Sequence, residues 1–289
     1  MTIALITGAT GNVGRPLVTL LLDAGVTVRA LTRDPEHCGL PADVQVVTST
    51  AAGLAGADVV FLNSRALGDD LAAAVAGARS HGVTKLVALS AINADDDFSL
   101  QPSRMRGDRN TEAEQLAVES GMQWVSLRPT VFASNVAGEW GAQIQVGDVV
   151  RGPYALASTA PIVERDIAAV AAHAILTDGL NGRRIPLTGP QSFTNTELVE
   201  LIGTVLNRPL RYQEVTPHDV RQHFMRLGFP TAFADTYIAY LAATVDQPAV
   251  VSAAVPTILG RPAESFATWL TEHRDLFAGE HRTERRGNR

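Results

Sequence analysis

Along the first half of the chain, apolar runs of strand length alternate with stretches whose apolar positions recur every three or four residues. The runs are IALIT, VTVRALT, VQVV, ADVVFLN, KLVALS and QWVSLR. They are nearly continuously apolar, which is how strands covered on both faces read. Between them, RPLVTLLLDAG and DDLAAAVAGARSHG carry the clearest helical periodicity. The first has Pro16 in its opening turn and Gly25 just past its end, and the second stops at Gly82. Such alternation predicts an α/β, doubly wound parallel sheet with helices on each face. The stretch between VQVV and ADVVFLN is short, so the third crossover is expected to be abbreviated.

After residue 135 the texture changes. Helical patterns dominate at ERDIAAVAAHAILTD, TNTELVELIGTVLN, PHDVRQHFMRLG and PAESFATWLTEHRDLF, with short extended pieces at RRIPLTG and RPLRYQEVTP. Glu197 follows Thr194 by three residues, a capping-box signature ahead of an apolar-periodic run. No repeat or low-complexity linker separates the halves. The expected organisation is a dinucleotide-binding region over 1–135 and a smaller, mostly helical substrate lobe over 136–278. The lobe is interleaved with the sheet rather than independent, and a cleft lies between the two. Residues 279–289, locally basic and without an apolar pattern, read as a disordered tail.

Composition narrows the function classes. At 289 residues with 46% hydrophobic content, the chain can bury an ample core. A net charge of −6 carries no electrostatic footprint for nucleic acid. A single cysteine, Cys38, excludes an internal disulfide and fits a reducing cytoplasm. No early apolar run is long enough for a signal peptide or a membrane span, so a cytoplasmic protein without a membrane partner is expected. Lys85 is the only lysine among 24 basic residues, a bias that suggests a GC-rich bacterial genome and removes most lysine-based mechanisms. No His, Cys, Asp or Glu spacing indicates a metal; His218 and His223 are too spread, and His173 reads as a packed histidine.

The stretch TGATGNVG raises the first chemical question. It joins an apolar strand to a periodic helix and sets Gly8, Gly11 and Gly14 at intervals of three. Gly8 allows a sharp turn, Gly11 allows backbone to approach a pyrophosphate, and Gly14 allows the helix to pack on the strand, as in a Rossmann-type site. The helix start offers unpaired N–H groups to phosphate, and Thr7, Thr10 and Asn12 add polar side chains. The alternative is a glycine-rich turn with no ligand. At the end of the second strand, where an NAD site wants a carboxylate, stand Thr32 and Arg33, with Asp34 one later. A guanidinium there suits the ribose phosphate of NADP, so NADPH is expected over NADH; the alternative is a solvated turn arginine. Arg29, four residues earlier, is less readily placed.

These segments, followed by VALSA, SGMQWVSLRPTVFASN, PIVERDIAAVAAHAIL and LTGPQSFTNTELVELIG, resemble the NmrA-like branch of the short-chain dehydrogenase/reductase superfamily, an atypical, extended-type group. The likeness runs from about residue 2 to residue 277. Members of that branch include NADPH-dependent quinone and dye reductases, ketoreductases of aromatic polyketides and non-catalytic redox sensors. The resemblance implies that the cofactor touches Gly8, Thr10, Gly11, Asn12, Val13, Gly14 and Arg33. It also implies Asn63 and Ser64 after the fourth strand, Ser90 and Ala91 after the fifth, and Pro129, Thr130 and Val131 after the sixth. VVTSTAAG lacks the acidic residue that members often carry after the third strand, which puts adenine contacts there in doubt.

The superfamily's usual tyrosine, with a lysine four residues later, is missing. None of the four tyrosines, Tyr154, Tyr212, Tyr237 and Tyr240, has Lys85 after it, and the helix RMRGDRNTEAEQLAVESG has no tyrosine at all. In that helix Asn110 and Glu114 share a face; Glu114 either orients a nicotinamide ribose or a water, or belongs to a solvated face. Ser90 is either a hydrogen-bonding partner of nicotinamide or substrate, or a plain strand-end serine. Phe132, Asn135, Trp140 and Tyr154 either wall a flat substrate or pack the lobes together. A positioned general acid is worth roughly 10²–10⁴ in rate, and orientation alone roughly 7–11 kcal/mol, so loss of the dyad leaves reduction feasible. The expected function is an NADPH-dependent reductase of a quinone or aromatic, polyketide-like ketone, as monomer or homodimer. The alternative is a non-catalytic NADP(H)-binding sensor; an epimerase, which needs the missing tyrosine, is disfavoured.

Overall fold

Seven parallel strands form the central sheet of the computed structural model, which describes residues 2–245 and 247–278. The strands in chain order are β1 (Ile3–Thr7), β2 (Thr27–Leu31), β3 (Gln45–Val47), β4 (Val59–Asn63), β5 (Lys85–Leu89) and β6 (Gln123–Pro129). Then come β7 (Val149–Gly152), β8 (Ser158–Thr159), β9 (Arg183–Leu187), β10 (Phe193–Thr194) and β11 (Arg211–Glu214). The sheet order is β3-β2-β1-β4-β5-β6-β9, so strand order reverses between β1 and β4. All six anticipated runs are strands of this sheet, and RRIPLTG supplies the seventh beside β6.

The crossovers are α1 (Gly14–Asp23), α2 (Thr50–Leu54), α3 (Ser64–Leu67), α4 (Leu71–Ser80) and α5 (Asn110–Glu119). Beyond β6 lie α6 (Ala133–Val146), α7 (Glu164–Leu176), α8 (Asn195–Leu206), α9 (Pro217–Arg226), α10 (Thr231–Ala242), α11 (Ala254–Leu259) and α12 (Phe266–Glu272). The pleat sends alternate strand residues to opposite faces. Ile6, Val28, Phe61, Val87 and Val125 pack with Leu17 and Leu21 of α1 and Ile167 and Ala171 of α7. Leu5, Val60, Leu62, Leu86 and Ala88 pack on the other face with Leu54, Leu71, Val75 and Ala113. Both faces are thus covered, as the doubly wound expectation requires. A separate apolar cluster joins α6, α8 and α12 through Trp140, Ile144, Leu198, Ile202, Phe266 and Trp269.

Several local expectations hold for their stated reasons. The crossover α2 is five residues long, and Thr194 and Glu197 form the reciprocal capping box at the start of α8. Others change. The helix expected across RMRGDRNTEAEQLAVESG begins only at Asn110, because Gly107, at φ 95°, ends a 3₁₀ turn over Pro102–Arg106. The last helix starts at Phe266, where the Ser265 side chain accepts from Thr268 N. β7, in a stretch to which the sequence reading gave no element, pairs in parallel with β11, which lies in the anticipated extended piece RPLRYQEVTP. The anticipated tail, 279–289, lies outside the described residues.

Lys85 explains where the single lysine went. Its Nζ donates to Asp178 Oδ1 (2.7 Å) and to the carbonyls of Thr177 (2.8 Å) and Ala174 (3.2 Å). It braces the amino end of β5 against the carboxyl end of α7, where a cation is favoured by the helix dipole. That is the opposite end of the sheet from the strand carboxyl ends.

Candidate active site

The carboxyl ends of the strands meet at the reversal between β1 and β4, the place where open α/β sheets bind ligands. Thr7 fastens the two strands there: its Oγ1 donates to Phe61 O (2.8 Å) and accepts from Asn63 N (2.7 Å). Gly8 follows at φ 70°, and a Cβ on it would stand 2.7 Å from Asn63 Nδ2. A Cβ on Gly14 would stand 2.1 Å from Gly8 O, so the helix could not pack there. At Gly11 the same distance is 3.3 Å. Thr10, Gly11 and Asn12 are exposed, and no side chain caps the start of α1 after buried Val13. An exposed glycine turn with uncapped helical N–H groups fits the pyrophosphate of a dinucleotide.

The adenosine end shows a division between two arginines. Arg29 donates to Gln45 Oε1 (3.1 Å) and to the carbonyls of Gly53 (3.1 Å) and Ala55 (2.5 Å), so it ties β2 to β3 and α2. Arg33, just beyond the carboxyl end of β2, is exposed. Arg15 pins the loop opposite it, donating to Gly39 O, Cys38 O and Thr10 O.

Further along the crevice, Asn63 caps α3 by accepting from the N–H groups of Arg65 and Ala66. Buried Ser64 donates to Asn110 Oδ1 (3.3 Å) and accepts from Arg109 N (3.0 Å), while buried Ser90 donates to Asn110 O (3.3 Å). Ser64, Ser90 and Asn110 are therefore one connected group. Ala91 is half-buried beside them, and Pro129 is buried at the end of β6. Thr130 Oγ1 donates to Ala160 O (2.7 Å), Val131 O accepts from Ile162 N (2.9 Å), and Phe132 bridges to Ile162. Asn12 Nδ2 donates to Ser134 Oγ (3.0 Å), and Glu164 Oε1 accepts from Ser134 N (3.0 Å). The first turn of α6 is thereby held against the glycine loop.

Two expectations are corrected here. Glu114 neither orients a ribose nor lies on a solvated face: it is 5% exposed, and both carboxylate oxygens are occupied. Oε2 accepts from Ser126 Oγ (2.5 Å) and Arg128 Nε (2.8 Å); Oε1 accepts from Arg128 Nη2 (2.6 Å) and Arg184 Nε (2.5 Å). Trp140 is not a substrate wall; it is buried in the apolar cluster of α6, α8 and α12, edge-on to Tyr212 at 5.9 Å. Phe132 is half-buried against the core, and Asn135 is exposed on the first turn of α6. Tyr154 stands apart, at φ 49° in the loop after β7, with its carbonyl accepting from Asn195 Nδ2 (3.0 Å).

Comparison with known proteins agrees with this geometry. A family described as NAD(P)H-binding matches residues 8–178. The chain is 35% identical over 293 residues to the (4-alkanoyl-5-oxo-2,5-dihydrofuran-3-yl)methyl phosphate reductase of Streptomyces griseus, covering 96% of this chain and 99% of that one. The chain belongs to the NAD(P)H-binding family. An NAD(P)H azoreductase of Xenophilus azovorans is 30% identical, over 94% of this chain and 98% of that one. Among solved structures, an NADPH-dependent quinone oxidoreductase of Escherichia coli, complexed with NADPH, has the same fold. It superposes with a TM-score of 0.79 at 19% identity, covering 94% of this chain and 99% of that chain. The NmrA-like resemblance read from the sequence motifs is borne out.

Helices α6 and α10, which the sequence reading did not recognise, meet each other and the segment after β5. Helix α10 packs against Phe98–Leu100 and Pro102–Arg106, the segment after β5. It reaches α6 as well, where the Tyr237 hydroxyl donates to Glu139 Oε1. Glu139 is exposed on α6, with neighbouring protein atoms crowding its carboxyl. Burial pushes its carboxyl pKa up, against the hydrogen bonds from Tyr237 and Trp140 that pull it down. Burial and the Glu139 charge push Tyr237 well above the usual phenol value, and burial, with Asp96 and Glu139, raises Tyr240. Two patterns could have revealed this group. Asn135 and Glu139 are four apart on an otherwise largely apolar helix, and Phe229, Phe233 and Tyr237 recur every four residues. The latter stack, with ring centroids 4.7 Å apart for Phe229–Phe233 and 6.3 Å for Phe233–Tyr237.

Among the described residues, no cluster of three or more His, Cys, Asp or Glu could hold a metal, and no helix is long and apolar enough to cross a membrane.

Proposed function

We propose that this NAD(P)H-dependent reductase moves hydride from NADPH to a quinone or an aromatic, polyketide-like ketone. The glycine turn and the start of α1 take the pyrophosphate, Arg33 takes the ribose phosphate, and Asn63, Ser64, Ser90 and the Ala91 backbone border the nicotinamide half. Bound NADPH supplies the hydride; the chain supplies position, exclusion of water and hydrogen bonds. The observation that supports the acceptor class is the half-buried tyrosine pair Tyr237 and Tyr240 on α10, with Tyr237 bonded to Glu139 of α6. Tyrosine faces suit a flat conjugated molecule. The azo group and the alkanoyl-oxo-dihydrofuran in the relatives' names are conjugated acceptors, as a quinone is.

The test follows NADPH oxidation across a panel of quinones and polycyclic aromatic ketones, with cofactor binding read by fluorescence in the same samples. Turnover supports the reading. Firm NADPH binding without turnover across the panel favours the sensor reading instead. For the cofactor, Arg33→Ala is expected to weaken NADPH binding about 10–100-fold while leaving NADH binding unchanged, since only NADPH carries the phosphate. Equal losses for both nucleotides would remove Arg33 from the phosphate site.

A further inference from the structure

We propose that Arg15 is the second cation of the NADPH phosphate site: it clasps the loop after β2 to the glycine turn and, with Arg33, makes the site choose NADPH over NADH. The inference rests on the NADPH reading of the cofactor and adds a specificity-determining residue to it.

The need for a second cation follows from charge. Arg33 shares the loop 32–41 with Asp34 and Glu36. One arginine against two acids leaves that loop at −1, counting His37 as neutral. Asp34 is turned onto its own loop, where Oδ1 accepts from His37 N (3.2 Å) and lies 3.1 Å from His37 Nδ1. A phosphate monoester carries about −1.5 to −2 near neutral pH. A loop that is itself acidic therefore needs a cation from elsewhere to hold one.

Arg15 supplies it. It is the second residue of α1, yet its side chain folds back past the start of the helix. Nε donates to Thr10 O (3.0 Å), Nη1 to Gly39 O (2.8 Å) and Nη2 to Cys38 O (2.8 Å). One planar group thus spans the glycine turn after β1 and the loop that leaves β2. The adenosine ribose of a Rossmann dinucleotide lies between those two strand ends. Three of the five guanidinium N–H groups are spent, and one remains on each Nη for a phosphate oxygen. The three acceptors are carbonyls, so the positive charge stays uncompensated by any carboxylate among the described residues.

Two further observations agree. A cation in the first turn of a helix opposes the helix dipole, and no acidic residue in the first turn of α1 offsets it. An anion bound at the same helix end removes that conflict. Arg29 makes the contrast: it too meets only neutral acceptors, but they are Gln45, Gly53 and Ala55, on β3 and around α2. It joins elements at the sheet edge, whereas Arg15 joins the two walls of the ribose site.

The experiment compares wild type with Arg15→Met and Arg15→Lys. Fluorescence titration gives dissociation constants for NADPH and NADH. Calorimetry does the same for the adenosine bisphosphate fragment that keeps the ribose phosphate and for adenosine monophosphate, so binding is read without turnover. Arg15→Met keeps the stem and loses every guanidinium bond. It should weaken NADPH and the bisphosphate about tenfold, with NADH and the monophosphate within about threefold. Arg15→Lys restores the charge without the fork and should recover part of the loss. The wild-type preference for NADPH should shrink as ionic strength rises from about 0.01 M to about 1 M, where the Debye length falls from ~30 Å to ~3 Å. Arg15→Met should show a shallower dependence.

Undiminished NADPH preference in Arg15→Met would overturn the inference. Equal losses for NADPH and NADH in both variants would do so too, by moving Arg15 to the pyrophosphate or to the framework of the loop. So would an Arg15→Lys as damaged as Arg15→Met, because its charge would then count for nothing. A wild-type chain that binds NADH as firmly as NADPH would overturn the NADPH reading itself, whereas a wild type and an Arg15→Met that share one preference for NADPH overturn only the second cation.

Discussion

Two glutamates on the helices that flank β6 have opposite surroundings. Glu114, on α5, is enclosed by two guanidiniums and a hydroxyl. Burial alone would raise its pKa, but hydrogen bonds from Arg128, Ser126 and Arg184 outweigh burial and hold it at about 2. Glu139, on α6, is met by tyrosines and an indole, and burial raises it. The first is a fixed anion that joins helix to sheet; the second has no cation beside it and bonds to Tyr237 of α10. Charge partners, more than burial, make the difference. A carboxylate near a crevice is therefore no sign of catalysis until its cations have been counted.

Removing the anion from the first region should have the largest effect on the fold. Glu114→Gln leaves Arg128 with Asp95 as its only carboxylate and breaks a buried network, which should cost about 3–5 kcal/mol in urea unfolding. NADPH affinity should not change. A stable variant with weakened NADPH binding would put Glu114 back in the site. The pH dependence has the same origin. The folded-state pKa of about 2 lies below the unfolded value, so the stabilisation is fully present above the unfolded pKa and lost as pH falls through the folded one. It amounts to ~3 kcal/mol, lost between about pH 5 and pH 2, and should vanish from the difference between wild type and Glu114→Gln. Glu139 carries the reverse sign and should add nothing to this acid limb.

The contrast also shows what the sequence could reveal. The strand runs, the glycine ladder and the capping box are local patterns, legible because period, turn chemistry and capping act over a few residues. The Arg33 expectation is of the same kind, resting on its place at the end of a strand. Glu114 was misjudged because its cations come from Arg128 and Arg184, on strands that only the sheet order makes neighbours. For Trp140 the packing alternative holds, and the sequence could not choose it because its partner Tyr212 lies on β11, far along the chain. Glu139 and Tyr237 are 98 residues apart, and neither helix was recognised: α6 carries Gly138 and Gly141 within its span, and α10 is apolar on most sides. Pairing across such distances is a property of packing, which periodicity does not encode.

The smallest effect divides the cations of the first region. Arg184 reaches Glu114 Oε1 at 2.5 Å, yet its side chain is 47% exposed and stays over the Trp124 ring, 5.4 Å from its centroid. Arg128, at 11%, is the shielded partner. Solvent screens the outer contact, so Arg184→Met should lower stability by less than ~1 kcal/mol. It should raise the Glu114 pKa only part of the way towards the ordinary value, because Arg128 and Ser126 remain. Urea midpoints and ¹³C carboxyl titration measure both quantities. If Arg184→Met proved as damaging as Glu114→Gln, the two guanidiniums would be acting as a unit, and the outer cation would belong to the anchor as fully as the inner one.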